Sequence, residues 1–359
     1  MTKSINQIFN PLYLLLHPTM IIKSKAPLRI GLAGGGTDVS PYSDLYGGSI
    51  LNATINKYAY ATIEPLDNGK IELHSIDKNI ELNYASAMTL EADGNLDLLK
   101  GVYNRIVKQF THKPLSFRLT TYVDAPAGSG LGSSSTLVVA IIGAFAEWLN
   151  LPLGEYDIAH LAFEIERIDL NMAGGKQDQY AATFGGFNFM EFYKDDKVIV
   201  NPLRIKRKYI TELQNNLVLF YTGTSRNSSN IIEEQSKNIK DKSIDATEAT
   251  HKLKEQSIKM KEAILMGKLD EIGQILHFGW EHKKQIAKGI SNPEIEAIYE
   301  AALKAGSNGG KISGAGGGGF IFFYCPGNTR FKVIDAMKAF NGRVENYEFT
   351  SGGLYTYTM

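Results

Sequence analysis

The chain has 359 residues, enough for two domains, with 43% apolar and 21% charged residues, the profile of an ordinary globular protein. Lys+Arg and Asp+Glu balance at 38 each, so no basic excess points to nucleic acid and no acidic excess to a solvated tail. One cysteine, Cys325, excludes an internal disulfide and a multi-cysteine zinc site, and fits a cytoplasmic protein.

Residues 1–19 hold one short apolar patch, Leu12–Leu16, cut off by His17 and Pro18. A secretory signal needs a longer apolar core behind a basic start, and no run approaches the ~20 residues of a membrane span. These residues are expected to be an extension, with the globular pattern starting at Met20.

The first informative stretch runs from Lys25 to Asp38. An apolar strand, Leu28–Ala33, enters three glycines and ends on an acid. The spacing is G-x-x-G-G-G, not the G-x-G-x-x-G of a dinucleotide fold, and Pro41 stands where a crossover helix should run. Gly48–Leu66 is strand-like, and Asp67-Asn-Gly69 predicts a hairpin to Ile71–Ser75. Ile80–Tyr84 reads as a further strand, and Leu96–Phe110 as an amphipathic helix.

The strand-like segment Leu115–Val123 leads into Asp124-Ala-Pro-Ala-Gly-Ser-Gly-Leu-Gly-Ser-Ser-Ser-Thr136, and Ser134–Leu149 reads as a buried helix. Glycines leave backbone N–H groups unshielded, and a helix N-terminus adds free donors and a positive dipole end. Together they form a cradle for phosphate. A second helix, Tyr156–Leu170, carries Glu164, Glu166 and Asp169 and ends in a loop that presents Gly174, Gly175, Lys176 and Asp178.

After about Lys206 the chain is mostly helical and heavily charged, as in Ala246–Met266 and Leu269–Ile286. The charges there read as solvated faces. A third glycine-rich element, Lys311–Phe320, feeds the strand Phe320–Tyr324; a helix over Phe331–Phe340 and two short strands follow.

Three glycine-rich elements in this order, without a G-x-x-x-x-G-K-[ST] loop, resemble the GHMP kinase superfamily. Pro126–Ser134 matches its P-x-x-x-G-L-G-S-S motif and Lys311–Gly319 its K-x-[ST]-G-A-G-x-G-G motif. Arg29–Asp38, R-I-G-L-A-G-G-G-T-D, parallels the first motif of the galactokinases. The G-G-G-T-D variant, the G-G-K-Q-D-Q-Y loop, Ile55–Tyr60 and Thr222–Arg226 are most similar to the sugar 1-kinases of heptose 7-phosphate, and fucokinase-type enzymes share part of the pattern. Here Ser40 departs from the subgroup's D-L-P-x-[FY].

The resemblance implies an α+β, two-domain fold. Residues 20–205 would form an N-terminal domain like the second domain of ribosomal protein S5, and 206–359 a ferredoxin-like α+β domain. It implies ATP and Mg²⁺ as cofactors and a small sugar phosphate as partner, with no nucleic acid and no membrane; a homodimer is allowed but not specified. Asp178 would orient or deprotonate the attacking hydroxyl, and Arg29 would stabilise the transferring phosphoryl group. Pro126, Gly128, Ser129, Gly130, Leu131, Gly132, Ser133 and Ser134 would hold ATP, with Mg²⁺ on Ser134 and Glu166. The sugar would meet Gly34, Gly35, Gly36, Thr37, Asp38, Gly316 and Gly317, and its phosphate Lys176 or Arg226. The expected reaction puts phosphate on the C1 hydroxyl of D-glycero-D-manno-heptose 7-phosphate. A fucokinase-like enzyme is the near alternative, and a sugar sensor without turnover the distant one.

Overall fold

The structure is a computed structural model that describes residues 20–224 and 229–359. The expected extension, 1–19, and Arg226 lie outside the described residues.

Seven strands of the first half build one sheet: β1 (Ile22–Ala33), β2 (Gly48–Pro65), β3 (Lys70–Ser75), β4 (Ile80–Ala85), β5 (Phe117–Val123), β6 (Phe187–Phe192) and β7 (Val198–Pro202). Four more, β8 (Leu217–Tyr221), β9 (Gly309–Ile312), β10 (Phe320–Tyr324) and β11 (Arg343–Glu345), form a second, antiparallel sheet in the order β11-β8-β10-β9. The last strand, β12 (Tyr355–Thr358), returns to the first sheet and pairs with β1, Lys25 opposite Tyr355. A boundary at 205/206 therefore does not carry through to the C-terminus. The alternating Tyr-Thr pattern of β12 specifies a strand but not the edge that accepts it, and the outer edge of β1 is what it covers.

Around the sheets lie α1 (Tyr42–Tyr46), α2 (Asp97–Ile106), α3 (Ser133–Leu149), α4 (Glu155–Glu164), α5 (Gln177–Phe184), α6 (Arg207–Asn216), α7 (Ser229–Lys240), α8 (Ile244–Met266), α9 (Ile272–Lys283), α10 (Pro293–Lys304) and α11 (Arg330–Met337). Among the described residues no helix is long and apolar enough to cross a membrane.

Pairing corrects one expectation. The first sheet runs β12-β1-β2-β5-β3-β4, so β5 lies between β2 and β3, and Asp67-Asn-Gly69 does not close a hairpin. The turn forms, with Lys70 N–H donating to Asn68 Oδ1 at 3.0 Å. Beyond it β3 runs parallel to β5, Leu73 opposite Leu119. A turn dipeptide sets local chain reversal; it cannot exclude a later strand that pairs better on both sides.

β1 alternates buried and half-buried residues at first and is fully buried from Ala26 to Ala33, because its later half is covered on both faces. α3, apolar all round, packs against β1 and β2. At its far end Phe117 of β5 meets Tyr103, Phe145 and Trp148 with ring centroids 5.6, 5.2 and 5.8 Å away. This packing places the N-terminus of α3, and the glycine loop before it, against the second sheet. Phe117→Ala should cost about 3–5 kcal/mol of unfolding free energy, measured by urea denaturation; a loss below about 1 kcal/mol would mean the cluster does not organise α3.

Candidate active site

Both sheets contribute glycine-rich turns to one cavity, and their contact is direct. The loop before α3 lies across the turn after β9: Phe320 N–H donates to Ser129 O at 2.9 Å, and Ser313 Oγ to Gly130 O at 2.8 Å. At Gly130 φ is +85°, and a Cβ there would stand 2.2 Å from Ser313 O. Only glycine fits that position.

Arg29, on β1 and 3% exposed, joins these pieces. Its Nη1 donates to Gly130 O at 2.5 Å and, at 3.4 Å, to Ser313 Oγ. Nε and Nη2 both reach Asp178 Oδ1, at 2.7 and 2.6 Å. Asp178 lies in the first turn of α5 and faces the cavity beside Gly132. With both Arg29 contacts on Oδ1, its Oδ2 is left for another donor.

Asp38 caps the N-terminus of the same helix, one turn or less from Asp178. Its Oδ2 accepts from the N–H groups of Lys176 and Gln177 at 2.9 and 3.1 Å, as a carboxylate should at a helix start. A Cβ on Gly175 would fall 1.9 Å from that oxygen, so the Gly-Gly sequence is what lets Asp38 approach. Burial pushes the Asp38 carboxyl above the usual range; the two N–H donors oppose this, and the charge of Asp178 adds to it. Asp38 Oδ1 is buried with no hydrogen-bond partner among the described residues.

Glu166, 1% exposed, lines the cavity where α4 gives way to a wider turn, Ile165–Asp169. It accepts from Ser135 Oγ at 3.0 Å and Gln179 Nε2 at 2.5 Å. Ser134 lines the same cavity. The neighbour that holds Glu166 is thus Ser135, one residue beyond the serine singled out from sequence.

The cavity is lined by Arg29, Gly35, Gly36, Asp38, Gly128, Gly130, Gly132, Ser133, Ser134, Glu166, Asp178 and Gly316 of the expected residues. Others shape it from outside. Thr37 is buried and exchanges hydrogen bonds with the backbone of Ser49. Gly34 N–H donates to Gln256, and Gly317 N–H to Ile290 O. Pro126 accepts from Ser133 Oγ; Leu131 and Ser129 are fully buried. Lys176 does not line the cavity: its ammonium pairs with Asp196 at 2.7 Å and lies over Phe163. The neighbourhood of a motif located it, but side-chain direction took it to the opposite side of the loop.

Among the described residues, three cavity cations went unrecognised in the sequence: Arg167, which donates to Gly175 O at 3.3 Å, Lys311 and Lys283. Lys311, the first residue of the third motif, is buried and donates to Gly31 O at 2.8 Å. Burial holds it well below the ordinary lysine value, with Lys283 and Arg29 adding to the effect. Lys283 ends α9 and is 3% exposed, although its helix reads as a solvated charged face. Burial lowers it to about 8; Asp38 opposes the shift and Arg29 deepens it. Its signal in the sequence is slight: a lysine one turn beyond Trp280, itself fully buried.

The chain matches the GHMP kinases N-terminal domain over residues 97–186 and the GHMP kinases C-terminal model over 260–342. It is 51% identical over 338 residues, 94% of its own length and 99% of the relative's, to D-glycero-alpha-D-manno-heptose 7-phosphate kinase of Campylobacter jejuni. Among solved structures it resembles a D-glycero-D-manno-heptose 1-phosphate kinase from Bacteroides thetaiotaomicron, at 48% identity and TM-score 0.80, covering 94% of this chain and 98% of that one. A putative sugar kinase from Campylobacter jejuni gives 48% identity and TM-score 0.79, covering 96% and 100%.

Gly130→Ala should lower the melting temperature by several degrees and abolish nucleotide binding, because the added carbon forces the loop off Ser313. Thermal unfolding with and without ATP checks this; a variant that melts and binds like the parent would show the contact is not obligatory.

Proposed function

The chain belongs to the GHMP kinases, and we propose that it transfers the γ-phosphoryl group of ATP to the anomeric hydroxyl of D-glycero-D-manno-heptose 7-phosphate, giving the 1,7-bisphosphate. The observation that carries the catalytic assignment is the Arg29–Asp178 ion pair, set between the glycine cradle and the buried Asp38.

Phosphoryl transfer asks a protein mainly to position the acceptor and neutralise charge on the phosphates. The backbone around Gly128–Ser134 at the mouth of α3 supplies N–H donors and a positive helix end for the triphosphate. Arg29, always charged, orients Asp178 and would stand beside the phosphoryl group in transfer. The free Oδ2 of Asp178 takes the hydroxyl proton of the acceptor or holds that proton in line. The unpartnered Oδ1 of Asp38 accepts from a second sugar hydroxyl.

Ser134 and Glu166 offer a hydroxyl and a buried carboxylate to one cavity, a hard-oxygen donor set that suits Mg²⁺. Bound there, Mg²⁺ would neutralise phosphate charge. Ser135 and Gln179 hold the carboxylate in place for it. The same function places the enzyme in the cytoplasm, where ATP, Mg²⁺ and a reduced Cys325 coexist.

The two named heptose relatives differ on which phosphate the substrate already carries. A 7-phosphate leaves the anomeric hydroxyl free, whereas a 1-phosphate would require a different acceptor. With ATP and Mg²⁺, heptose 7-phosphate should release ADP at least tenfold faster than L-fucose, galactose or mannose, and phosphorus NMR should show a new anomeric ester. Equal turnover of fucose, or a product phosphorylated elsewhere, would reject the assignment. Asp178→Ala should lower kcat about 10²–10⁴-fold; near-parental turnover would remove Asp178 from the chemistry.

A further inference from the structure

Of the cations that line the cavity among the described residues, three are already engaged. Arg29 is held by Asp178, Lys311 by Gly31 O, and Arg167 contacts Glu166 at 3.6 Å and Gly175 O at 3.3 Å. Lys283 differs. It is 3% exposed and, like Lys311, has no ion-pair partner among the described residues, but where Lys311 makes a 2.8 Å hydrogen bond, Lys283 makes only a long one, 3.4 Å to Gly35 O. It stands beside Gly35, within electrostatic reach of Asp38, in the part of the cavity assigned above to the sugar.

A buried ammonium without an anionic partner is costly, and a protein retains one where a ligand supplies the anion. A sugar hydroxyl would not compensate that charge; a phosphate would, as a compact ammonium binds phosphate well. We propose that Lys283 receives a ligand phosphate in the sugar half of the cavity, an assignment that rests on the sugar phosphate kinase function above. Two groups have this chemistry: the phosphate that the sugar already carries and the one in transfer.

The charged groups facing Lys283 are Asp38, Arg29 and Lys311. With the free amine titrating at about 8, the ammonium is present below that pH and lost above it. Sugar phosphate binding should therefore weaken as pH rises through about 8.

Steady-state kinetics with ATP, run on the parent, Lys283→Met and Lys283→Arg, separate the two sources by comparing heptose 7-phosphate with unphosphorylated D-glycero-D-manno-heptose. Loss of a charge-assisted contact should lower kcat/KM about 10–100-fold in the Met variant, and the Arg variant should recover much of it without the alkaline limb near pH 8. A loss confined to the sugar phosphate identifies the substrate's own ester; an equal loss of kcat on both sugars identifies the group in transfer. Unchanged kinetics on both, in a Met variant that melts like the parent, overturn the assignment. A second readout is independent of turnover: the carbon NMR titration of labelled Lys283 should move to higher pH with inorganic phosphate. A signal indifferent to phosphate also overturns the proposal, whereas a shift in a parent that does not turn over heptose 7-phosphate fails only the substrate assignment.

Discussion

One buried guanidinium organises this molecule. Arg29 reaches from β1 to the glycine loop before α3, to the third glycine motif and to the first turn of α5. A buried arginine must have its charge and its donors met, so removing any of its partners leaves a cost that packing cannot repay. The same contacts fix the spacing between Asp178 and the loop that would hold the nucleotide. Structural necessity and the proposed catalytic geometry fall on the same atoms.

Asp38 is the counterpart of Arg29 at the start of α5. By capping α5 it sets where that helix begins, and Arg29 then sets which way Asp178 points within it. The helix is held by two acids, one accepting from its N-terminal backbone and one paired with arginine. Each depends on a glycine: Gly175 to admit Asp38, Gly130 to admit the turn after β9.

A chain with no net charge concentrates four cations, Arg29, Arg167, Lys283 and Lys311, around one cavity, interleaved with Asp38, Glu166 and Asp178. That local excess matches polyanionic ligands, and the low-dielectric walls make each charge count for more than on the surface. Overall composition was silent on this, because a balanced total says nothing of how charge is distributed.

By itself the sequence determined the family and the three glycine elements, and it singled out Arg29, Asp38, Glu166 and Asp178, which the fold brings to one cavity. Glycine runs at strand ends and helix mouths are local features, and the backbone geometry they permit is local too. The tertiary structure alone decided pairing and direction. It put β5 between β2 and β3, returned β12 to β1, and turned the buried Lys176 away from the cavity to Asp196. It gave Glu166 to Ser135 and brought Lys283 inward from a helix that looks solvated. Those outcomes depend on which surfaces meet across the fold, and a lysine carries the same letter whether its ammonium faces water or a closed cavity.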